Sequence, residues 1–234
     1  MTLNSTFTVV VPAAGIGKRM GAAVPKQYLF IAEKTVIEHT LSNLMAHPQI
    51  AKVVVVLHPE DHYFKELNIA QSPKITTVIG GDERSDSVLA GLAAVNSNET
   101  WVLVHDAARP CLHHDDLSAL LQLAEHGQVG GILATPVRDT MKRGNPKHLV
   151  VKTESRDHLW HALTPQLFPL KILTSALSKA QKMQISMTDE ASAIEYFGGQ
   201  VKLVSGRASN IKITQHEDLL LAEFYLSQLL KEAK

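Results

Sequence analysis

The sequence predicts an α/β fold with a doubly wound, mostly parallel sheet. Short apolar runs rich in β-branched residues, such as "FTVVV" (7–11) and "KVVVVLH" (52–58), alternate with segments of helical periodicity. Such alternation is typical of βαβ units, whose parallel strands are buried on both faces. Ligands of such sheets bind beyond the carboxyl ends of the strands, so we expect functional residues in the loops that follow them.

Helices and strands alternate in order along the first part of the chain. Helical periodicity near 35–46, 60–67, 86–95 and 115–125 fills the intervals between apolar runs, and a further helix is expected from about Lys18. The predicted strands are "FTVVV", "KVVVVLH", "ITTVI", "WVLVHD" and "GGILAT".

The last part of the chain adds two helices and one strand. The prolines of "TPQLFP" (164–169) predict a turn, and "TDEASAIEYFG" (188–198) predicts a capped helix that Gly198 closes. "QVKLV" (200–204) predicts a strand, and residues 216–230 predict a long amphipathic C-terminal helix.

Residues 137–158 interrupt this alternation and predict a β-hairpin arm. Two charge-rich runs, "VRDTMK" and "HLVVKTES", flank the turn "GNP". A polar ribbon buries little within its own domain, so we expect the arm to pack on a second subunit of a homodimer. The alternative is a mobile surface hairpin. Residues 1–234 are otherwise predicted to form one domain.

The composition limits the classes of function. The 23 Lys and Arg residues balance the 23 Asp and Glu residues, so no overall charge attracts nucleic acid or a membrane. No stretch has the roughly 18 apolar residues of a membrane helix, and no signal peptide is recognised. A single cysteine, Cys111, cannot form an internal disulfide, which favours a cytoplasmic protein. We expect no catalytic role for Cys111, since no activating base can be assigned to it.

The loop after the first strand, "PAAGIGKRM" (12–20), predicts a phosphate site. Its glycines allow close approach of the backbone, and the N–H groups of a following helix attract anions. The dinucleotide fingerprint does not match, because Gly21 comes one residue too late after Gly15 and Gly17. The P-loop does not match either, because Arg19 occupies its hydroxyl position.

Three cations, Lys18, Arg19 and Lys26, follow the glycines of this loop. Their charge exceeds what the two phosphates of a dinucleotide require, and it suits a triphosphate that is cleaved. The simpler alternative is a glycine turn with solvated cations.

Two further loops carry candidate binding residues. In "VHDAARP" (104–110), Asp106 can hold Mg²⁺ or orient a phosphate-bearing substrate, and Arg109 can bind phosphate; the alternative is a structural ion pair. In "GGDERSDSV" (80–88), Gly80 and Gly81 allow close approach to a base that Asp82 and Ser87 would recognise. A helix N-cap explains Asp82 or Ser87 equally well.

Other polar residues are weaker candidates. Thr140, Thr164 and Thr188 can donate a hydroxyl to a substrate, although Thr188 is also a plausible helix cap. Arg156 and Lys212 are basic residues in β-like segments, where a single charge is usually solvated. The histidines of "LHHDD" (112–116) diverge and its aspartates begin a helix, so we predict no metal site there.

Taken together, these motifs resemble the 2-C-methyl-D-erythritol 4-phosphate cytidylyltransferases of the non-mevalonate isoprenoid pathway. The likeness extends from about Val9 to Leu226. It depends on the ordered set "PAAGIGKRM", "PKQY", "GGDERSDSV", "VHDAARP", "PVRDTMK", "WHALTPQLF", "TDEASA" and "NIKIT". The resemblance implies a Rossmann-like nucleotidyltransferase that uses CTP, methylerythritol phosphate and Mg²⁺, in a homodimer whose arm enters the partner's site.

The resemblance also implies roles for individual residues. Arg19 and Lys26 would stabilise the transition state, while Arg156 and Lys212 would position the acceptor phosphate for attack. The residues implied for CTP are Ala13, Ala14, Gly15, Gly17, Lys18, Gly80, Gly81, Asp82, Ser87 and Asp106. Those implied for methylerythritol phosphate are Asp106, Arg109, Thr140, Arg156, Thr164, Thr188 and Lys212. Ser209 replaces an acidic residue expected in many members.

Three other functions remain as alternatives. A cytidylyltransferase for another polyol phosphate, such as ribitol 5-phosphate, would differ only in its acceptor residues. A non-catalytic nucleotide-binding module would need no acceptor pocket, so Arg156 and Lys212 argue against it. A nucleotide-dependent oxidoreductase is disfavoured, because the glycine spacing is wrong and none of the tyrosines belongs to a Tyr-x-x-x-Lys pair.

Overall fold

The computed structural model describes residues 6–15, 24–125, 127 and 129–232. The strands are β1 (Phe7–Pro12), β2 (Phe30–Ile31), β3 (Lys34–Thr35), β4 (Ile50–Leu57), β5 (Ile75–Ile79), β6 (Trp101–Val104), β7 (Gly131–Pro136), β8 (Met141–Gly144), β9 (Val150–Glu154), β10 (Trp160–Pro169) and β11 (Lys202–Ser205). The α-helices are α1 (Val36–Ala46), α2 (Arg84–Ala93), α3 (His114–Glu125), α4 (Leu170–Lys182), α5 (Glu190–Tyr196) and α6 (Glu217–Glu232). Short 3₁₀ helices cover Lys26–Tyr28, Phe64–Glu66 and Asn68–Gln71.

Seven strands form the central sheet, in the order β11, β7, β10, β6, β1, β4, β5. β1 pairs in parallel with β4 and β6, β4 with β5, and β11 with β7. Within the described part of the chain, β10 is the one strand of this sheet that runs antiparallel to its neighbours, and it lies between β6 and β7. The prediction of a mostly parallel α/β sheet is therefore confirmed, and the carboxyl ends of β1, β4, β5 and β6 lie at one edge.

Both faces of the sheet are buried at its centre, which explains the continuous valine run of β1. Val9 and Val11 pack on one face with the apolar residues of α1 and α3. Val10 lies on the opposite face, among residues of α2, α4 and α5. Because successive side chains of a strand point to opposite faces, a strand covered on both sides is apolar at every position. Burying each valine contributes about 1.5–3 kcal/mol.

The helix predicted near 60–67 is wrong. This crossover instead contains two short 3₁₀ helices, interrupted by an extended Leu67. The Asp61 carboxylate accepts hydrogen bonds from the backbone N–H groups of Tyr63 (3.1 Å) and Phe64 (3.0 Å), and from the Tyr28 hydroxyl (2.6 Å). Such local side-chain bonds offer the backbone an alternative to an α-helix.

The turn predicted at 164–169 is also wrong, because these residues belong to β10. The pairing of β10 with β7 shifts register between Ala162 and Gln166, where Pro165 needs no N–H partner. Pro169 ends the strand and immediately precedes α4. Helix α4 is not among the predicted elements, although Leu170, Leu173 and Leu177 give it a buried face of helical spacing.

The predicted arm is present as an antiparallel hairpin of β8 and β9. The Asn145 side chain accepts hydrogen bonds from the backbone N–H groups of Lys147 and Leu149 and so closes the turn. Leu149, Val150 and Val151 are 62%, 63% and 61% exposed. No helix within the described residues is long and apolar enough to cross a membrane.

Candidate active site

A cleft opens at the carboxyl edge of the sheet, beside the loops that follow β1, β5 and β6. Its volume is about 200 Å³. The described residues that line it are Pro12, Ala13, Ala14, Gly15, Lys26, Gln27, Gly81, Asp82, Glu83, Arg84, Ser87, Asp106, Ala107, Ala108 and Lys212. The cleft therefore contains residues from each of the three loops in which the sequence predicts ligand contacts.

The loop after β1 is held by a buried glutamine that the sequence analysis did not single out. The Gln27 amide donates hydrogen bonds to the carbonyl oxygens of Ala13 (2.7 Å) and Gly15 (3.2 Å). Gln27 is 4% exposed, so it fixes the loop from inside the protein. Gly17, Lys18, Arg19 and the helix predicted from Lys18 fall on residues 16–23, outside the described part of the chain.

The loop after β5 brings backbone close to the floor of the cleft. A Cβ on Gly80 would lie 2.6 Å from Ser87 Oγ and 2.9 Å from Ala14 Cβ, so a side chain there requires its neighbours to move. The buried Ser87 hydroxyl donates to the Gly81 carbonyl (3.3 Å), and Asp82 is exposed. The N-cap of α2 is Glu83, not the Asp82 or Ser87 considered above.

Asp106, directly after β6, lies among three cations. Its carboxylate is 2.9 Å from Lys212 Nζ, 3.3 Å from Arg109 Nε and 3.4 Å from Arg84 Nη2. Burial disfavours the ionised form, but the charges of Lys212, Arg84 and Arg109 outweigh it and hold the Asp106 pKa well below its usual range. Asp106 is therefore ionised at neutral pH, and its carboxylate holds three cationic side chains next to the cleft.

A buried hydrogen-bonded chain orients the backbone of Asp106. The Asp106 N–H donates to Thr164 Oγ1 (3.0 Å), and this hydroxyl is hydrogen-bonded to His105 Nδ1 (3.0 Å). His105 Nε2 is 3.0 Å from the Arg109 carbonyl oxygen, so Nε2 carries the proton of the neutral ring. Burial lowers the His105 pKa to about 4, in keeping with a neutral imidazole.

The segment that carries Lys212 is fixed on both sides. Arg109 Nη1 donates to the Asn210 carbonyl (2.7 Å), and the Asn210 amide donates to the Thr164 carbonyl (2.8 Å). Lys26 Nζ donates to the Ile213 carbonyl (2.8 Å). These bonds hold the segment without an acidic residue at Ser209.

Arg84 and Glu190 form an ion pair that the sequence analysis missed. Arg84 Nη1 lies 2.6 Å from one Glu190 oxygen and Nη2 lies 3.2 Å from the other. Burial raises the pKa of Glu190 and outweighs the opposing effect of the Arg84 charge. For Arg84, the charges of Glu190 and Asp106 outweigh burial and raise the pKa. Both residues occur in motifs quoted above, but the sequence analysis assigned no role to either of them.

Of the predicted acceptor residues, Asp106 and Lys212 line the described cleft, Arg109 and Thr164 are buried and do not line it, and three others are exposed and lie away from it. Thr140 is exposed just before β8. Arg156 is exposed, and its Nη1 donates to the Arg138 carbonyl (2.6 Å) within the arm. Thr188 is exposed and is not the helix cap considered above, because Asp189 accepts the capping bond of α5 from Ser192 N–H (2.9 Å). Within this chain, these three side chains do not join Lys212 among the lining residues.

The aspartates of "LHHDD" and Cys111 lie outside the described cleft. Asp116 accepts a hydrogen bond from the Arg207 backbone N–H (2.7 Å) and forms an ion pair with its guanidinium, while Asp115 lies 3.1 Å from the same group. No cluster of three or more potential metal ligands occurs among the described residues. Cys111 is buried, and burial raises the pKa of its thiol to about 12.

The chain is similar over nearly its whole length to proteins of one family. The family model described as IspD, 2-C-methyl-D-erythritol 4-phosphate cytidylyltransferase, matches residues 7–228. A protein of that name from Pseudoalteromonas atlantica is 62% identical over 226 residues, covering 97% of each chain. Another from Yersinia pseudotuberculosis is 59% identical over 220 residues, covering 94% of this chain and 91% of its own.

A solved structure shows the same likeness in three dimensions. The crystal structure of Francisella tularensis 2-C-methyl-D-erythritol 4-phosphate cytidylyltransferase superposes with a TM-score of 0.80 at 35% identity. The match covers 94% of this chain and 100% of that chain. Sequence and fold therefore indicate the same relationship.

Proposed function

The chain belongs to the 2-C-methyl-D-erythritol 4-phosphate cytidylyltransferase family, and we propose that the cleft beside Asp106 is where it carries out the family's reaction. It is a nucleotidyltransferase that transfers CMP from CTP to 2-C-methyl-D-erythritol 4-phosphate, with release of pyrophosphate, in isoprenoid precursor biosynthesis. The comparisons favour this acceptor over ribitol 5-phosphate, and they favour an enzyme over a nucleotide-binding module.

We assign the nucleotide to the side of the cleft formed by the loops after β1 and β5. The backbone of Ala13, Ala14 and Gly15, which Gln27 holds in place, would cradle ribose and phosphates. Gly80 allows the backbone to pack closely against Ser87 and Ala14. We place the cytosine ring beside Gly81, Asp82 and Ser87, which line the cleft, where the exposed Asp82 carboxylate would accept a hydrogen bond from the amino group of the base. Gly17 and Lys18 would complete the phosphate site.

The contact between Lys212 and Asp106 carries the assignment of the acceptor site. One of the three Lys212 donors points to Asp106 at 2.9 Å, and the side chain is 37% exposed in the lining of the cleft. The remaining donors suit the oxygens of a phosphate monoester. Arg109 fixes the Lys212 segment, and Thr164 fixes Asp106, so both would support this subsite from within the fold.

The reaction needs positioning and charge, and no general base. The acceptor phosphate is already anionic at neutral pH, so its oxygen attacks the α-phosphorus directly. As the new P–O bond forms, the bond to pyrophosphate breaks and its electron pair leaves with the pyrophosphate oxygen. Negative charge grows on the equatorial and leaving oxygens, where we place the cations of Arg19 and Lys26.

Magnesium fits this site as an ion held mainly by the CTP phosphates. The Asp106 carboxylate is already neutralised by Lys212, Arg109 and Arg84, and the described residues contain no cluster that would form a protein cage. Mg²⁺ is typically bound through substrate phosphates and few carboxylates, and it retains waters. When bound, it would neutralise charge on the triphosphate oxygens.

We further propose a homodimer in which the arm covers the neighbouring subunit. Leu149, Val150 and Val151 are exposed apolar residues at its end, which favours burial against a partner. Thr140 and Arg156 would then act in the partner's site, which explains why they lie away from the cleft of their own chain. The balanced charge and buried Cys111 support a cytoplasmic enzyme without a nucleic-acid or membrane partner.

Pyrophosphate release tests the proposed function directly. The purified chain is incubated with CTP, Mg²⁺ and one of three acceptors: methylerythritol phosphate, ribitol 5-phosphate or erythritol 4-phosphate. We expect a kcat/KM for methylerythritol phosphate at least tenfold above that for the other two. A higher value for ribitol 5-phosphate would overturn the acceptor assignment.

A further inference from the structure

Glu190 is a buried carboxylate that the reaction described above does not use. Its side chain is 1% exposed, so it does not reach a substrate in the cleft. Both of its oxygens contact the Arg84 guanidinium, at 2.6 and 3.2 Å. Two parallel hydrogen bonds of this kind fix the plane of an arginine as well as its charge.

Arg84 transmits this fixed geometry to the cleft. Its Nη2 atom, already bound to Glu190, lies 3.4 Å from Asp106 Oδ1. The opposite oxygen, Oδ2, faces Lys212 and Arg109. The rotation of the Asp106 carboxylate is therefore set from one side by Arg84, and the place of the Lys212 ammonium depends on it.

Glu190 is itself anchored to the central sheet. Gln166 of β10 donates from its amide to Asp189 (2.9 Å) and accepts from the Ala191 backbone N–H (2.9 Å). These two hydrogen bonds fix Asp189 and Ala191, the residues on either side of Glu190, at the start of α5. A series of hydrogen bonds thus connects Gln166 of β10 with the residues that flank Glu190, and Glu190 with Arg84 and Asp106.

We propose that Glu190 is a positioning residue for the acceptor phosphate, acting through Arg84 on Asp106 and Lys212. The inference rests on the proposed function, since it presumes that Lys212 binds that phosphate. Loss of the Glu190 carboxylate should leave the nucleotide side of the cleft intact. The backbone before α2 has its own local hydrogen bond there, from Glu83 N–H to the Asp86 carboxylate (3.2 Å).

The test compares Glu190→Gln with a matched control, Asp116→Asn. Asp116 is also a carboxylate in the first turn of a helix, largely buried and paired with an arginine, but it does not line the described cleft. We expect Glu190→Gln to lower kcat/KM for the acceptor by about 10- to 100-fold, as for misplacement of a reacting group. The CTP dissociation constant from calorimetry should change less than about twofold, and Asp116→Asn should leave both quantities unchanged.

A double variant separates positioning from general loss of structure. If Glu190 acts only through Arg84, Glu190→Gln adds less than about a twofold further loss of acceptor kcat/KM to Arg84→Met. Arg84→Lys keeps the charge and loses the two-point contact, so it should lower acceptor kcat/KM even if Glu190→Gln does not fold. Wild-type acceptor kinetics in Arg84→Lys or in folded Glu190→Gln, or equal losses for CTP and acceptor, would overturn the proposal.

Lys212→Ala, measured in the same assay, distinguishes failure of the proposed acceptor site from failure of the role proposed for Glu190. If it leaves acceptor kinetics unchanged, the proposed acceptor site is wrong. If Lys212→Ala impairs acceptor kinetics but Glu190→Gln does not, the acceptor site stands and only the role of Glu190 is refuted.

Discussion

The Lys212 ammonium lies 2.9 Å from the Asp106 carboxylate, joining two segments that are far apart in the chain. Asp106 follows β6, whereas Lys212 lies between β11 and α6. The ion pair places a partly exposed ammonium beside a buried carboxylate. This contact holds the Lys212 ammonium in place before any substrate arrives, so little reorganisation is needed when a phosphate binds.

Lys212→Ala should weaken the acceptor site alone. We expect the acceptor KM to rise about tenfold or more, because a charge-assisted contact to phosphate is lost. The CTP dissociation constant from calorimetry should stay within about twofold of wild type. Lys65→Ala is the control, since that side chain is 72% exposed and lies outside the described cleft. Equal losses for CTP and acceptor would instead place Lys212 in the nucleotide site or in the fold.

Lys26→Ala should lower kcat by about 10²- to 10³-fold, or about 2.7–4 kcal/mol, as for loss of a preorganised donor to a transition state. Lys26 lines the cleft next to the loop after β1. Steady-state and single-turnover kinetics with saturating CTP provide the measurement. An effect confined to the KM for CTP would mean that Lys26 contributes only to ground-state binding.

His105 should make the stability of the protein depend on pH between about 4 and 6.5. Burial lowers its pKa from 6.5 to about 4, so in this range the unfolded chain binds a proton that the folded chain does not. The free energy of unfolding therefore does not depend on His105 titration above pH 6.5. As the pH falls from 6.5 toward 4, it decreases by about 3 kcal/mol in total. Urea unfolding of wild type and His105→Gln at pH 7 and pH 5 measures it.

His105→Gln can keep the donor to Arg109 but has no group that titrates in this range. Its free energy of unfolding should therefore fall less between pH 7 and pH 5 than that of wild type. Parallel pH dependences of the two proteins would show that His105 does not account for the effect.

The sequence predicted the loops of the site better than the contacts between them. Strand and helix periodicity placed Gly81, Asp106 and their neighbours after strands, and parallel pairing then brought these loops to one edge. The pairing of Arg84 with Glu190 had no comparable signal, because it depends on how the fold brings the starts of α2 and α5 together. The motifs that contain them were interpreted through other residues, Asp82 and Ser87 in one and Thr188 in the other.

The two incorrect elements have local causes. Asp61 binds the N–H groups of Tyr63 and Phe64 and replaces the predicted helix with 3₁₀ turns. Pro165 made a strand resemble a turn, although β10 accommodates it at a shift of register. In both cases an individual side chain decided the backbone conformation, and such an effect leaves no periodic signal along the chain.

The arm prediction can be tested by complementation between two inactive variants. If the arm enters the partner's site, Arg156→Ala damages the site that contains Lys26 of the other subunit. A dimer of one Arg156→Ala chain and one Lys26→Ala chain then has one intact site and one doubly damaged site. Random 1:1 reassortment makes about half the dimers mixed, so the mixture should regain about a quarter of wild-type activity and purified mixed dimers about half. Co-refolded proteins with distinct affinity tags allow the mixed dimers to be purified and their pyrophosphate release measured. If purified mixed dimers are no more active than the mean of the two parents, Arg156 does not act across the interface and the shared site is refuted.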